Sequence, residues 1–267
     1  MTAHVEIKDV GLFYGKSEAR TKAVEHLDIH IKKGEFIAVV GPSGCGKSTL
    51  MKMVSGLLPV SEGTLLVEGK PVTGPLRSVG MAFQSSNLLP WRTVTDNVLL
   101  PLEIVQPHRS KIRREKVAYQ EKARTLLESV GLKGFTEKFP WQLSGGMQQR
   151  ASICRALIHE PDILMLDEPF GALDAFTREE LWCALRDIHA QRGVTVILVT
   201  HDLREATFLA DTVYVMSNRP GTIVKRREVN LPRPRDLEVT YTQPFAEIVL
   251  ELRSFIGAHR TPAKVTL

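Results

Sequence analysis

Three short stretches place residue types at spacings that could do phosphate chemistry. "GPSGCGKST" fits G-x-x-x-x-G-K-[ST] and comprises Gly41, Pro42, Ser43, Gly44, Cys45, Gly46, Lys47, Ser48 and Thr49. Glycines at this spacing let successive backbone N–H groups turn inward as an anion nest. The lysine can reach the β- and γ-phosphates of a nucleotide, and the hydroxyl after it can be offered to Mg2+. "ILMLDEP" puts Asp167 at the end of an apolar run, where a carboxylate can hold Mg2+ or its water shell. Glu168 follows directly, a second carboxylate of the kind that orients and deprotonates a water. "LSGGMQQR" opens a helical run with Gly145 and Gly146 behind Ser144. Ser144 alone would cap that helix, and each glycine in a helix costs about 1 kcal/mol against alanine. The pair therefore asks for close backbone approach to something, often an anion.

These groups need strands that stop and helices that start beside them. "GEFIAVV" is a continuous apolar run, as in a strand buried on both faces of a parallel sheet, and it leads into the glycine-rich turn. "KSTLMKMVSGLL" behind the turn is helical and closes at Pro59. "HVEIKDV" and "HLDIHI" alternate as strands, and "EGTLLVEGKPV" returns to strand character. From about Leu88 to Ile158 the pattern is largely helical; "DILMLDEP" and "VTVILVTH" are apolar strands with helical "REELWCALRDIHA" between them, and "TVYVMS" is a further strand. Strands and helices alternate at both ends around a helical insertion. The expected architecture is an α/β core with a helical subdomain, not two independent domains.

Composition narrows the setting. Hydrophobic residues make up 43% and charged residues 24% of 267, the balance of a globular chain with a sizeable core. No apolar run approaches the ~18 residues of a membrane span, and the first residues lack an apolar signal-peptide core. Cys45, Cys154 and Cys183 lie far apart with no C-x-x-C, so neither disulfides nor zinc are expected and a reducing cytosol fits. The net charge of +5 suits a nucleotide, an anionic membrane surface or nucleic acid. The clearest basic run, residues 108–124, is interleaved with Glu115 and Glu121 and reads as one solvated helix; Tyr119 is its single aromatic, which argues against nucleic acid. His159 and His189 read as ordinary surface residues.

Together these residues resemble the nucleotide-binding subunit of ABC transporters over at least residues 5–217. "LSGGMQQR" is similar to the family signature, Gln84 in "MAFQSSNLLPWRTV" to the Q-loop glutamine, "GALD" ending at Asp174 to the D-loop, and His201 in "VTHD" to the switch histidine. Tyr14 in "LFYG" resembles the aromatic that stacks on adenine, although Phe13 adjoins it and a lone aromatic near a strand also reads as core.

The resemblance implies an α/β fold: a P-loop NTPase core with an N-terminal antiparallel β subdomain and an inserted helical subdomain at about 88–158. Residues 1–240 would form the nucleotide-binding domain and 241–267 a short helical tail. It implies ATP and Mg2+ as cofactors. Lys47 and the loop would hold the phosphates. Ser48, Gln84 and Asp167 would hold the metal, Glu168 would activate water, and His201 would contact the γ-phosphate. It also implies a second copy of the chain, or a homologous ATPase subunit, arranged head to tail. Ser144, Gly145 and Gly146 would then face ATP held by the other subunit, which answers the glycine question.

The work done with ATP leaves two classes. A soluble ABC ATPase acting on nucleic acid or ribosomes usually carries a long coiled-coil insertion or two fused nucleotide-binding units, and this chain has neither. Transport is therefore expected, with separate transmembrane permease subunits, a periplasmic or surface solute-binding protein acting indirectly, no nucleic acid, and a peripheral place on the cytoplasmic side of the membrane. Leu88, Leu89 and Trp91 would suit a groove receiving a coupling helix, with burial in the subdomain's own core as the competing reading. "LPRPRD" and "PFAEIVLELRSFIG" resemble the nitrate/sulfonate/taurine importer class, so a small anion is the expected solute.

Overall fold

The alternation of "HVEIKDV" becomes strand β1 (Val5–Tyr14) of the computed structural model, which describes residues 3–15, 20–171 and 173–258. β1 pairs antiparallel with β2 (Thr21–Ile31), Val5 opposite Ile31 and Ile7 opposite Ile29. A register shift between Ile7 and Val10 then moves the buried set from odd to even positions, Val10 and Leu12, so the alternation changes phase in mid-strand. β3 (Phe36–Val40) is buried along its whole length, as its apolar run predicts. After the glycine-rich turn, α1 runs Lys47–Val54. It stops short of Pro59 because Gly56 adopts φ 76°: Gly56 N–H bonds Met53 O (3.0 Å) and Leu57 N–H bonds Lys52 O (2.8 Å), a Schellman closure. β4 (Glu62–Val67) and β5 (Lys70–Pro71) complete an antiparallel sheet of order β2-β1-β4-β5.

The chain divides into two units, Met1–Leu76 with Ile197–Leu267, and Arg77–Val196. The second opens with β6 (Val79–Ala82), followed by α2 (Val94–Leu99), α3 (His108–Lys111), α4 (Lys116–Ser129) and α5 (Gly145–Leu157). β7 (Ile163–Asp167) lies parallel to β6, and α6 (Ala175–Arg192) follows it. The basic run 108–124 is not one helix: it breaks between α3 and α4, and Tyr119 is buried with its hydroxyl 3.0 Å from His108 Nδ1. His159, expected on the surface, is buried just past the end of α5. Burial pushes its pKa below the ordinary 6.5, and nearby His108 and Lys122 add to that.

β8 (Thr195–Thr200) carries the chain back to the first unit, where α7 (Leu203–Leu209), β9 (Thr212–Met216), β10 (Ile223–Glu228) and α8 (Gln243–Ala258) complete it. The strand order there is β10-β9-β3-β8, with β9 parallel to β3 and antiparallel to β10. "LPRPRD" has a structural task. Arg235 is buried and donates to the carbonyls of Thr207 (3.1 Å), Phe208 (3.0 Å), Ala210 (2.7 Å) and Val229 (3.0 Å), filling the acceptors at the end of α7. α8 buries Phe245, Ile248 and Leu252. Residues 259–267 of the expected tail and Ala172 of "GALD" lie outside the described residues. Among the described residues no helix is long and apolar enough to cross a membrane.

Candidate functional site

The loop between β3 and α1 bends through Gly44 (φ 77°) and Gly46 (φ 108°). A Cβ on Gly46 would lie 2.4 Å from Val24 Cγ1, and one on Gly41 would lie 2.9 Å from Met216 O, so two of the motif glycines are also fixed by packing within their own unit. Gly46 is the N-cap of α1; it offers no side chain to the first N–H groups, and the first turn holds no acid. Those donors fit an anion. Lys47 is buried, its ammonium donating to Gly41 O (2.8 Å) and Pro42 O (2.9 Å), which keeps its charge inside the arc of the loop. Burial pushes the pKa of the Cys45 thiol up, with the Lys47 charge opposing that, so Cys45 is an inert member of the loop.

Tyr14 ends β1. It is 40% exposed, with its hydroxyl 3.2 Å from Thr49 Oγ1. It is therefore no core residue, and its ring stands beside the loop. His201 follows β8 directly and is exposed. Asp202 behind it caps α7, accepting from Arg204 N–H (2.7 Å) and Glu205 N–H (3.3 Å).

In the second unit, Ala82 of β6 pairs with Leu166 of β7, so residues just past both strand ends meet at one edge. Asp167 closes β7, and Glu168 takes φ 46°, unusual for a residue with a side chain. Gln84 lies close to the turn after it: a Cβ on Gly171 would sit 3.7 Å from Glu168 O and 3.8 Å from Gln84 Nε2. Asp174 caps α6 by accepting from Thr177 N–H (3.1 Å), and bonds from Thr177 hold its carboxyl below the usual pKa.

Ser144 caps α5 by accepting from Met147 N–H (3.3 Å). The two glycines behind it have different reasons. A Cβ on Gly146 would lie 2.6 Å from Thr177 Cγ2, so Thr177 would have to shift to admit any side chain there. A Cβ on Gly145 would meet nothing within 4 Å among the described residues. Farther along α5, Gln148, Gln149 and Arg155 hydrogen-bond residues 83–87. Sequence reasoning missed these contacts; the available signal was polar Gln149 on the buried side of α5. Trp91 is 72% exposed while Leu88 is buried, so the loop after Gln84 divides between the surface and the core readings.

A G-x-x-x-x-G-K-S loop between strand and helix and an Asp-Glu pair at another strand end are the two motifs of a nucleotide-hydrolysing ATPase. The chain belongs to the ABC transporter family, whose model matches residues 24–171. Among its relatives, an aliphatic sulfonates import ATP-binding protein SsuB of Bacillus cereus is 38% identical over 257 residues, 96% of this chain and 98% of that one. The taurine import ATP-binding protein TauB of Escherichia coli (strain K12) is 41% identical over 211 residues, 79% of this chain and 80% of that one. The ATP-binding cassette MJ0796, solved as a dimer in a post-hydrolysis state bound to ADP and Pi, superposes with a TM-score of 0.72 at 29% identity, covering 85% of this chain and 100% of that one. The chain is thus the ATP-hydrolysing subunit of an ABC importer. The alternative of an ATPase for nucleic acid or ribosomes finds no support among these relatives.

Proposed function

We propose that this subunit works as one of two head-to-tail copies on the cytoplasmic face of separate permease subunits, driving uptake of an organosulfonate delivered by a binding protein. Residues 1–240 act as the nucleotide-binding domain, with 241–267 as its helical tail. The observation that carries the head-to-tail reading is Gly145. It is exposed at a helix N-terminus capped by Ser144, and a Cβ there would meet nothing within 4 Å among the described residues. A helix N-terminus with approachable N–H groups suits the γ-phosphate of ATP on another copy, with Ser144 adding a hydroxyl. The dimeric MJ0796 cassette supports the pairing.

Tyr14 stacks on the base. Lys47 and the N–H groups of residues 41–49 hold the phosphates. Ser48, Asp167 and Gln84 would hold Mg2+, since each offers a hard oxygen donor. When bound, Mg2+ neutralises the charge that grows on the β- and γ-oxygens. Glu168 accepts the proton of the attacking water, and His201 contacts the γ-phosphate. Trp91 docks on the permease. The sulfonate solute rests on the names of the relatives, importers for aliphatic sulfonates and for taurine, itself a sulfonate. The test is uptake of labelled taurine and of an alkanesulfonate by cells with and without this chain. Loss of uptake on deletion, restored by the wild type but not by Glu168→Gln, is the expected result. Unchanged uptake of both solutes rejects the solute class.

A further inference from the structure

The segment that carries Gln84 is gripped from both sides by side chains of α5. Before it, Gln149 (4% exposed) donates Nε2–H to Phe83 O at 2.9 Å. After it, Arg155 donates Nη2–H to Ser86 O at 2.6 Å and Nη1–H to Asn87 O at 2.8 Å. Ser86 Oγ also donates to Gln148 Oε1 at 3.1 Å, and Gln148 Nε2 is fixed on Pro140 O at 3.0 Å. A guanidinium bonding two consecutive carbonyls fixes direction as well as distance, which a single ammonium cannot do. Gln84 itself remains exposed between these ties. The helix that holds it by the flanks is the one that begins at Ser144 and Gly145.

We propose that Gln149 and Arg155 are positioning residues for Gln84: they lock residues 83–87 to α5, so that Gln84 moves with the helix whose N-terminus receives the second copy's nucleotide. The inference rests on the reading of Gln84 as the group at Mg2+ or the attacking water. A loop without these ties would have to order Gln84 in each turnover. Misplacement by about 1 Å can cost on the order of 10²-fold in rate.

The test compares Gln84→Ala, Gln149→Ala, Arg155→Ala, Arg155→Lys and the double variant Gln84→Ala/Arg155→Ala. ATPase rates are measured over ATP and Mg2+, and hydrogen exchange over the peptides covering residues 41–49 and 83–92. Arg155→Ala should lower kcat roughly tenfold and change KM for ATP less than about twofold, since the cradle is untouched. It should raise the Mg2+ concentration for half-maximal rate, as Gln84→Ala does, and speed exchange at 83–92 but not at 41–49. Arg155→Lys should recover only part of the rate. Gln149→Ala, which keeps the cation, should show the same pattern more weakly and serves where Arg155→Ala fails to fold. The double variant should be no slower than Gln84→Ala alone. Multiplying effects in the double variant, or unchanged exchange at 83–92 in Arg155→Ala and Gln149→Ala, overturn the linkage while Gln84 keeps its role. Wild-type kcat in Gln84→Ala instead sinks the role of Gln84, and the linkage with it.

Discussion

The two anion-type sites of this chain use glycine for opposite reasons. In the cradle, Gly46 is required twice over, by φ 108° and by Val24 Cγ1, 2.4 Å from where a Cβ would stand, and a Cβ on Gly41 would meet Met216 O. The fold around the cradle would reject side chains there even without a nucleotide. At the head of α5, Gly146 is likewise explained at home by Thr177, but Gly145 meets no described residue. Gly74 and Gly257 are open in the same way, but Gly145 alone of the three stands at a helix N-terminus, where backbone N–H groups can meet an anion. One site is closed on itself; the other, on the function proposed above, is completed by a second copy of the chain.

The sharpest way to break this contrast begins in the cradle. Lys47→Ala removes the charge that Gly41 O and Pro42 O hold in the arc. It should lower ATP turnover by about 10³-fold or more, the scale of losing a phosphate-clamping cation. A filter-binding assay should show nucleotide binding greatly weakened as well. A purified variant hydrolysing at the wild-type rate would remove the cradle from the mechanism.

Glu168→Gln keeps shape and most hydrogen bonding but cannot take a proton, so turnover should fall by about 10²–10⁴-fold while ATP still binds. Unhydrolysed ATP should then hold the open N-terminus of another copy's α5. Size-exclusion chromatography with ATP should show a dimer that the wild type forms only transiently. A variant that stays monomeric in saturating ATP counts against the completed second site.

Gly145→Ala and Gly146→Ala separate the two kinds of glycine inside a single helix. Alanine at 145 should leave thermal stability unchanged or raise it by up to about 1 kcal/mol, yet slow turnover by about 10²-fold through misplacement of the helix end. Alanine at 146 should destabilise by about 1–3 kcal/mol, because its methyl would overlap Thr177. Denaturant unfolding and ATPase rates on both variants make the measurement. Equal loss of stability in the two would erase the distinction.

Trp91→Glu probes a third outward-facing feature. Its carboxylate would enter a desolvated contact and should weaken retention on permease-containing membranes by about 2 kcal/mol or more. ATP binding by the free subunit should not change, since Trp91 is exposed. The smallest effect belongs to the other end of α5. His159 is buried with its pKa held below 6.5. The unfolded chain therefore binds the proton more readily, and the stability linked to this group is present above about pH 6.5 and lost as pH falls toward the folded value. His159→Gln should flatten that slope in urea unfolding between pH 7 and pH 5.

The motif residues were legible because ligand chemistry dictates residue type: Lys47 and Ser48 sit at a helix start, and Asp167 and Glu168 at a strand end, as their motifs require. The buried strands were legible from continuous apolar runs, as in β3. The phase change in β1 was not, because a bulge leaves no mark in composition. The reason for Gly146 lies in Thr177, a neighbour only after folding. His159 follows the C-terminal end of α5, where Ala156, Leu157 and Ile158 are buried, so its place in the sequence suggested a surface the fold does not offer. Gln149 and Arg155 escaped notice because their partners are backbone carbonyls, which look alike at every residue.

The three tryptophans make the protein its own optical instrument. Trp182 is sealed edge-on against Phe170, two residues beyond Glu168, whereas Trp91 and Trp141 stand 72% and 70% exposed, the latter stacked on Phe139. A buried indole emits toward the blue and resists aqueous quenchers; an exposed one emits toward the red and yields to them. With Trp141 replaced by phenylalanine, the red emission belongs to Trp91 alone, and the blue emission to an indole in the unit that holds Glu168. The proposed docking at Trp91 and changes near Glu168 could then be followed at two wavelengths in one cuvette, without a dye attached to either place.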